Sequence, residues 1–227
     1  MEAPGILLQS ALVAVALFIA AFLIGSIPFG YVIGRVFYGL DIRTKGSGNI
    51  GAANALRTLG TAGAVAVLVL DAFKGFLPVF LFRYVGPQGW EPLTTLGQIH
   101  MMQALVAIAA VLGHCFSPWL GWRGGKGVAT SVGAIFGLSW QAGLASVAAW
   151  IVVGLITGFS SAGSIAANAI APFALLFFSR DGAYALYGFF ATVLIIYRHR
   201  ENIERIRGGR ESVLGLLRFW RGRNEGN

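Results

Sequence analysis

The sequence predicts an all-α fold: a polytopic integral membrane protein with seven transmembrane helices, some of them short or partly embedded. Hydrophobic residues make up 56% of the chain, charged residues only 11%, and the mean hydropathy is +0.73. Several apolar segments reach the length of about 20 residues that a helix needs to cross a bilayer. The 32 glycines are typical of closely packed membrane helices. Together these observations exclude an ordinary soluble domain.

Six apolar segments follow one another along the chain, with polar loops between them. They cover residues 6–27, 59–82, 99–118, 128–157, 163–179 and 183–197. No basic stretch precedes the first segment, so we interpret it as a membrane span and not as a cleaved signal peptide. The fourth has thirty residues, too many for one crossing at about 1.5 Å per residue. A polar break at 138–143 predicts two short helices there, at about 128–138 and 142–157, which makes seven.

Basic residues between the spans predict the orientation, because cytoplasmic loops are enriched in Lys and Arg. Cations follow the first, third and last spans, whereas only Arg83 and Arg180 lie in loops on the opposite side. The N-terminus is therefore expected outside and the C-terminus in the cytoplasm. The basic loop after the third span and the basic tail are on the same side only if an even number of crossings separates them. Segment 128–157 must therefore cross twice or be a re-entrant pair. We interpret 1–227 as one domain with a basic cytoplasmic tail, 212–227, which either lies on the anionic leaflet or frays.

The remaining composition excludes other classes of protein. The net charge of +8 does not indicate nucleic-acid binding, since the cations lie in loops between apolar spans. The single cysteine, Cys115, excludes an intrachain disulfide and a multi-cysteine cluster, and we expect it to be a buried apolar residue. Motifs such as H-E-x-x-H and G-x-S-x-G are missing. We expect no metal, no cofactor and no obligate protein partner. Asp71 and Lys74, three residues apart in the second span, are expected to pair.

Three polar segments that carry cations predict a site for a phosphate-like anion on the cytoplasmic side. They are KGSGNIGAANALR at 45–57, RGGKG at 123–127 and RHREN at 198–202. Glycines expose backbone N–H groups, and Lys and Arg add fixed positive charge. In the first segment a turn at 46–49 precedes a helix that begins at Ala52, Ser47 adds a hydroxyl, and Arg57 can fold back toward the loop and bind an anion with its bidentate guanidinium.

The second and third segments extend this interpretation. Lys126 is interpreted as a point charge for phosphate. The second segment is not a nucleotide-binding loop, because Val128 follows Gly127 where a Walker sequence needs Ser or Thr. His199 and Asn202 are three residues apart, so they share one face if the segment is helical.

Four motifs occur in order along nearly the whole chain. They are GSIP at 25–28, GSGNIGAANALR at 46–57, GHCFSPWLGWRGGKGVAT at 113–130 and HRENIERIRGGRE at 199–211. Together they resemble the bacterial acyl-phosphate:glycerol-3-phosphate acyltransferases, the PlsY family. The resemblance implies a seven-span inner-membrane enzyme with its active site on the cytoplasmic side. It implies transfer of a fatty acyl group from acyl phosphate to the sn-1 hydroxyl of glycerol 3-phosphate. The products are lysophosphatidic acid and phosphate, in the first step of phospholipid biosynthesis.

The same resemblance implies which residues form the site. As catalytic residues it implies Ser47, Arg57, Lys126, His199 and Asn202. As substrate-binding residues it implies Gly46, Gly48, Asn49, Asn54, Gly124, Gly125, Glu211 and a serine among Ser160, Ser161 and Ser164. The chain departs from the family pattern at Ala53, where the family commonly has Thr, at Ser117 and in the tail.

We expect the glycerol hydroxyl to attack acyl phosphate directly, without an acyl-enzyme, because the sequence offers no Ser or Cys paired with a base. The proton passes to His199 or to a phosphate oxygen of the substrate. The alternative function is a membrane transporter of an organic phosphate, which predicts cations near the midplane and related halves of the sequence. A membrane adaptor that uses the basic tail is a third hypothesis. The location of nearly all cations at one face favours the enzyme.

Overall fold

The computed structural model describes residues 3–85 and 96–214. This part of the chain contains eleven α-helices and two 3-10 turns, and no β-strand lies within these two ranges. The helices are α1 (Ala3–Ser26), α2 (Phe29–Tyr38), α3 (Ala52–Thr58), α4 (Gly60–Val85), α5 (Leu96–Cys115), α6 (Val128–Leu138), α7 (Trp140–Thr157), α8 (Ser160–Ala169), α9 (Ala171–Ser179), α10 (Gly182–Arg198) and α11 (Arg200–Arg207). The 3-10 turns are Ile42–Thr44 and Pro118–Leu120.

Glycines let the central helices approach until their backbones touch. A Cβ atom added to Gly75 on α4 or to Gly133 on α6 would lie 1.9 Å from a backbone carbonyl oxygen of the facing helix. A Cβ atom on Gly25 of α1 or Gly113 of α5 would lie 2.1 Å from one. Without water in the bilayer to drive association, membrane helices rely on such close packing of small residues. The two glycine-lined crossings, α4 with α6 and α1 with α5, form the centre of the bundle.

By length and composition, four helical segments of the described residues can cross a membrane, and five if one bent pair counts as a span. The four are Gly60–Tyr84, Gln98–Leu120, Trp140–Thr157 and Ser160–Ser179. The bent pair joins Leu12–Ser26 to Phe29–Tyr38 at an angle of 40°. Val128–Leu138 and Gly182–Arg198 are apolar but shorter. Every predicted apolar segment is therefore helical, whereas the number of seven crossings and the orientation of the termini remain predictions.

The predicted break in segment 128–157 is confirmed and lies at Ser139. This residue is extended, with φ −154°, and its side chain accepts a hydrogen bond from the backbone N–H of Ala142 at 3.4 Å. Ser139 thus ends α6 and caps the first turn of α7. Segment 163–179 was predicted as one helix, but it is divided at Ile170 into α8 and α9. Pro172, which lacks an N–H, stands in the first turn of α9.

Helix α2 was not predicted. Pro28 supplies no N–H, so α1 ends at Ser26 and a new helix begins at Phe29 in a different direction. One face of α2 buries Ile33 and Gly34, whereas Val36 on the other face is 68% exposed. The expectations that Cys115 is buried and that Asp71 pairs with Lys74 are both confirmed. Most of the predicted basic tail, 215–227, lies outside the described residues.

Candidate active site

Asn54 organises the first polar loop. Its side-chain amide donates to the carbonyl oxygens of Ile42, Lys45 and Asn49 at 3.0, 3.2 and 2.8 Å, and its Oδ1 accepts from the backbone N–H of Ser47 at 2.8 Å. Asn54 is 1% exposed, so these bonds occupy its polar atoms in a buried environment. Its role here is to fold the loop, and contact with substrate remains a prediction.

The glycines and Asn49 shape the same loop. Gly46 has φ +58°, and a Cβ atom there would lie 2.2 Å from Asn54 Oδ1. Gly48 has φ +70°, and its N–H donates to the carbonyl of Lys45 at 3.0 Å. The Asn49 side chain accepts from the N–H of Gly51 at 2.9 Å in an Asx turn. Left-handed backbone and crowding therefore require glycine at 46.

Two predicted catalytic side chains of this region are exposed. The Ser47 hydroxyl forms no hydrogen bond with any residue in the described ranges. The guanidinium of Arg57 donates to the hydroxyl of Ser212 at 2.7 Å, which ties the first polar segment to the chain that follows α11. Within the described part of the chain, Arg57 forms no ion pair with a carboxylate, so its charge remains available to an anion.

Asp41 anchors the entry to the first loop. It accepts two side-chain hydrogen bonds from Arg43, at 3.0 and 2.8 Å, and one from Arg35 at 3.1 Å. Hydrogen bonding to Arg43 holds the pKa of the Asp41 carboxyl far below its usual range, although burial opposes this shift. The hydrogen bonds that Arg43 donates to Asp41 likewise raise the pKa of Arg43. These two cations are thereby neutralised by a partner, unlike Arg57.

The second loop, 124–127, is held from both sides. The N–H groups of Gly124 and Gly125 donate to the carbonyls of Cys115 and His114 at 3.2 and 3.0 Å. The guanidinium of Arg198 donates three hydrogen bonds, of 3.1, 2.9 and 2.7 Å, to the carbonyl oxygens of the same two glycines. A Cβ atom on Gly124 or Gly125 would lie 2.0 or 2.1 Å from an atom of His114. Bulkier residues are excluded there.

The expectation of free glycine amides is therefore wrong at Gly48, Gly124 and Gly125. Their N–H groups donate to carbonyl oxygens of the protein, through a tight turn at Gly48 and through contacts with Cys115 and His114 at Gly124 and Gly125. The glycines permit close packing of the loops, and the side chains provide the positive charge. Contact between these glycines and the substrate remains a prediction.

Lys126 points its ammonium at α11, where the Nζ donates to Oδ1 of Asn202. Burial lowers the pKa of Lys126 to about 8, and the nearby charge of Arg205 acts in the same direction. Lys126 has no carboxylate within ion-pair distance among the described residues. Lys126 is thus a partly buried cation that is connected to the Glu211 carboxylate only through Asn202.

His199 ends α10 and precedes α11. It is 3% exposed, and its Nδ1 lies 2.8 Å from the carbonyl oxygen of Ile195. A carbonyl can only accept, so Nδ1 carries a proton and Nε2 of the neutral ring is left with a lone pair. Burial lowers the pKa of His199 to about 4, and the positive charge of Lys126 adds to the effect. The imidazole is therefore neutral near pH 7.

Glu211 joins three segments of the chain. Its Oε1 accepts from the Asn202 amide at 2.6 Å and from the Ser161 hydroxyl at 2.8 Å, and its Oε2 accepts from Arg205 Nε at 2.8 Å. Burial alone would raise the pKa of Glu211, but the hydrogen bonds from Arg205, Asn202 and Ser161 lower it. Glu211 is thus a fixed anion that orients Asn202 toward Lys126.

The three candidate serines differ in what they contact. All three lie in α8, although the sequence placed Ser160 and Ser161 between the predicted apolar segments 128–157 and 163–179. Ser161 reaches Glu211, whereas the Ser164 hydroxyl donates to the carbonyl of Ser160 at 2.8 Å and accepts from the indole of Trp150 at 3.3 Å. The Ser160 hydroxyl forms no hydrogen bond within the described chain. Only Ser161 is joined to the Lys126 and Asn202 network.

The structure therefore connects all three predicted segments through side chains. Lys126 contacts Asn202, Asn202 contacts Glu211, and Ser212, the next residue, contacts Arg57. Sequence reasoning did not select Arg198, Arg205 or Ser212, although each lies in or beside the third segment. Because their partners are 6 to 155 residues away along the chain, local patterns give no signal for them.

The arrangement collects positive charge that few carboxylates neutralise, which suits a phosphate-like anion. The cations Arg57, Lys126 and Arg198 have no acidic partner among the described residues, and Arg205 has Glu211. In residues 3–85 and 96–214 no three His, Cys, Asp or Glu side chains group in a way that could hold a metal ion. The site is thus suited to electrostatic binding of anions at the ends of the helices.

Comparisons with known proteins give one consistent family. A family model described as glycerol-3-phosphate acyltransferase matches residues 15–209. Glycerol-3-phosphate acyltransferase 2 of Moorella thermoacetica is 43% identical over 197 residues, which cover 87% of this chain and 95% of that protein. The glycerol-3-phosphate acyltransferase of Gluconobacter oxydans is 43% identical over 200 residues, covering 87% and 91%.

Two solved structures are also similar. Both are crystal structures of PlsY (YgiH), an integral membrane glycerol 3-phosphate acyltransferase, and both are 37% identical to this chain. The glycerol 3-phosphate form has a TM-score of 0.80 and covers 91% of this chain and 98% of its own. The lysophosphatidic acid form has a TM-score of 0.77 and covers 90% and 96%.

Proposed function

The chain belongs to the glycerol-3-phosphate acyltransferase family, and we propose that the group joined by Lys126, Asn202, Glu211 and Arg57 is its active site. The protein transfers an acyl group to glycerol 3-phosphate, which gives lysophosphatidic acid. We further propose that the acyl donor is an acyl phosphate. The observation that carries this proposal is that Arg57, Lys126 and Arg198, where the three segments meet, have no acidic partner in the part of the chain that the structure describes.

The proposed reaction is a direct displacement. The sn-1 hydroxyl oxygen of glycerol 3-phosphate attacks the carbonyl carbon of acyl phosphate, and negative charge develops on the carbonyl oxygen. The carbon–oxygen bond to phosphate then breaks, the new ester forms and phosphate leaves. The hydroxyl proton ends on a phosphate oxygen. Phosphate is a good leaving group, so the step needs positioning and charge stabilisation more than acid catalysis.

Positive charge makes this reaction possible because the two substrates repel each other. Two unit charges 4 Å apart interact by about 4 kcal/mol at an effective dielectric constant of 20. The partly buried Lys126 offsets part of this repulsion, and the exposed Arg57 offsets less because water screens its charge. With its pKa at about 8, the Lys126 ammonium is about nine-tenths protonated at pH 7. We assign Lys126 to the departing phosphate of acyl phosphate and Arg57, with Ser47, to a substrate phosphate.

The proton acceptor is a phosphate oxygen of the substrate and not His199. A phosphate monoester loses its second proton near pH 6, about two units above the pKa of about 4 for His199. The substrate is therefore the stronger base by about 100-fold. His199 keeps its Nε2 lone pair directed away from Ile195, and we assign to it a hydrogen bond from a substrate hydroxyl other than the attacking one.

Among the candidate serines we assign the site role to Ser161. Its hydroxyl contacts Glu211, which also holds Asn202, so a substrate phosphate beside Lys126 is within the same network. For the whole chain we propose seven crossings, an inner-membrane location, an external N-terminus and a cytoplasmic site. The supporting argument is the position of the cations, which lie almost entirely in loops on one side of the sequence-predicted spans.

The donor is tested by measuring lysophosphatidic acid formed by purified protein from glycerol 3-phosphate with acyl phosphate, acyl-CoA or acyl carrier protein thioester, with release of phosphate or of the thiol followed alongside. We expect lysophosphatidic acid only with acyl phosphate, together with one phosphate per acyl group transferred. Lys126→Ala and Arg57→Ala should each lower kcat/KM by about 10²- to 10³-fold, the cost of removing a preorganised charge. Arg200→Ala removes an exposed cation whose only hydrogen bond or ring contact among the described residues is with Tyr197, and it is the control. Equal turnover with acyl-CoA would refute the donor assignment.

A further inference from the structure

A buried ion pair in α4 lies outside the network described above. Asp71 Oδ1 and Lys74 Nζ are 2.7 Å apart, and both side chains are 2% exposed. Burying two charges in an apolar bundle is costly, so such pairs persist where their further contacts have a function. Here each end of the pair reaches toward a different loop of the active site.

The lysine end holds the bend between α1 and α2. Lys74 Nζ donates to the carbonyl oxygen of Ile27 at 2.6 Å and lies over the ring of Phe29 at 5.5 Å. Pro28 cannot donate a hydrogen bond, so the bend leaves carbonyl oxygens without helical partners. The Ser117 hydroxyl binds another of them, the carbonyl of Ser26, at 2.7 Å.

The bend in turn sets the position of the first polar loop. Helix α2 follows Pro28 directly, and a Cβ atom on Gly30 would lie 1.8 Å from the carbonyl oxygen of Ile50. The backbones of α2 and of the 46–51 loop are therefore in direct contact. Because no side chain separates the two backbones there, a shift of α2 moves the loop that carries Ser47. By holding the bend, Lys74 therefore also holds the position of this loop.

The aspartate end reaches the second loop through His114. His114 Nδ1 lies 3.7 Å from Asp71 Oδ1 and 3.1 Å from the hydroxyl of Thr130 on α6. The opposite edge of the ring lies beneath Gly125, where a Cβ atom would be 2.1 Å from His114 Nε2. Gly125 also donates its N–H to the His114 carbonyl at 3.0 Å. The imidazole thus supports the residue that precedes Lys126.

We propose that Asp71, Lys74 and His114 are positioning residues for acyl transfer, which together fix the distance between the 46–51 loop and the Gly124–Gly127 loop. None of them touches substrate in this assignment. They act through Gly125 on Lys126 and through the α1–α2 bend on Ser47. This inference rests on the acyl transfer and on the assignment of Lys126 to the site.

Two variants test the two ends. Asp71→Leu/Lys74→Leu replaces the pair with apolar side chains and leaves no isolated buried charge. His114→Asn keeps a polar atom near Thr130 but removes the ring under Gly125. The matched control is Gln103→Leu, because Gln103 also lies on α5, is 3% exposed and donates to an α4 carbonyl, that of Val79, at 3.0 Å. It lies at the opposite end of the α4–α5 contact.

The first measurement is kcat/KM for lysophosphatidic acid formation, with thermal unfolding of each purified variant. We expect a decrease of about 10- to 100-fold for both test variants, since a displacement of about 1 Å has such effects. The control should stay within about threefold at a comparable shift in melting temperature. In a double-mutant cycle, adding His114→Asn to Lys126→Ala should lower kcat/KM by less than about threefold relative to Lys126→Ala alone, because both changes act on the same ammonium.

The second measurement needs no activity. Modification of Lys126 by an amine-reactive reagent is followed against pH by peptide mass spectrometry. In the wild type half-labelling should fall near pH 8, and in His114→Asn it should move upward, because a loosened loop hydrates the ammonium. Unchanged labelling with unchanged kcat/KM would overturn the proposal. The proposal would also be overturned if the decreases in kcat/KM followed the decreases in melting temperature and if the effect of His114→Asn added fully to the effect of Lys126→Ala. A wild type without acyl transfer would instead refute the function.

Discussion

Replacing Arg198 by lysine separates the charge of this residue from its geometry. Arg198 donates three hydrogen bonds, of 3.1, 2.9 and 2.7 Å, to the carbonyls of Gly124 and Gly125. A planar guanidinium can hold two adjacent carbonyls in this way, whereas a lysine ammonium is a point charge on a flexible stem. Arg198→Lys therefore keeps the positive charge near the site, but it retains at most about one of the three bonds at comparable geometry.

The size of the effect follows from the two lost bonds. A hydrogen bond from a charged donor contributes about 1.5–3 kcal/mol, and Arg198 is partly exposed, so the low end applies. Two such bonds amount to about 3 kcal/mol of loop anchoring, and each 1.36 kcal/mol corresponds to a tenfold change in rate. We expect kcat/KM to fall by about 10- to 100-fold, with the larger value as the upper limit.

The assay is glycerol 3-phosphate-dependent release of phosphate, with melting temperature measured on the same preparations. Arg200→Lys is the matched control, because Arg200 is exposed and, within residues 3–85 and 96–214, its hydrogen bond and ring contact are both with Tyr197, at 3.4 Å to the carbonyl and 4.8 Å to the ring. That variant should stay within about twofold of the wild type. If Arg198→Lys matched the wild type, or if both variants lost activity equally, the carbonyl contacts would not control the loop.

Three further changes test other parts of the site. The rate should fall as pH rises through about 8, where Lys126 loses its proton, and Lys126→Arg should move this alkaline limb above the range of the assay in a pH–rate profile corrected for spontaneous hydrolysis. Ser161→Ala should lower kcat/KM by about tenfold through loss of a hydrogen bond to the Glu211 carboxylate, whereas Ser164→Ala, whose bonds go elsewhere, should change it less than about twofold; equal effects would reject this choice of serine. Gly125→Ala forces a Cβ atom to within 2.1 Å of the His114 ring and should nearly abolish turnover, while Gly182→Ala, with nothing within 4 Å, should be neutral in the same assay.

The sequence alone determined the class of the protein and the positions of its apolar helices. Membrane helices need long apolar segments, and breaks need polar or proline residues, so local composition contains this information. The break at Ser139 was predicted for that reason. Helix α2 was missed because its ten residues are too short to span and mix buried with exposed apolar positions.

The three polar segments were likewise found from the sequence, since glycine, lysine and arginine between apolar spans are local features. Their internal hydrogen bonds were not. The sequence suggested free glycine amides at 124 and 125, but Cys115 and His114 bind those N–H groups. A backbone donor in a buried turn takes whichever carbonyl folding brings near it, and the sequence does not show which carbonyl that is.

Only the tertiary structure decided which residues meet. The contacts between Arg57 and Ser212, Lys126 and Asn202, and Arg198 and Gly124 join residues 74 to 155 positions apart. Helix periodicity and turn chemistry act over a few residues, so they fix each segment but not its partners. The partners depend on how glycine-lined helices cross, and this is set by packing throughout the bundle.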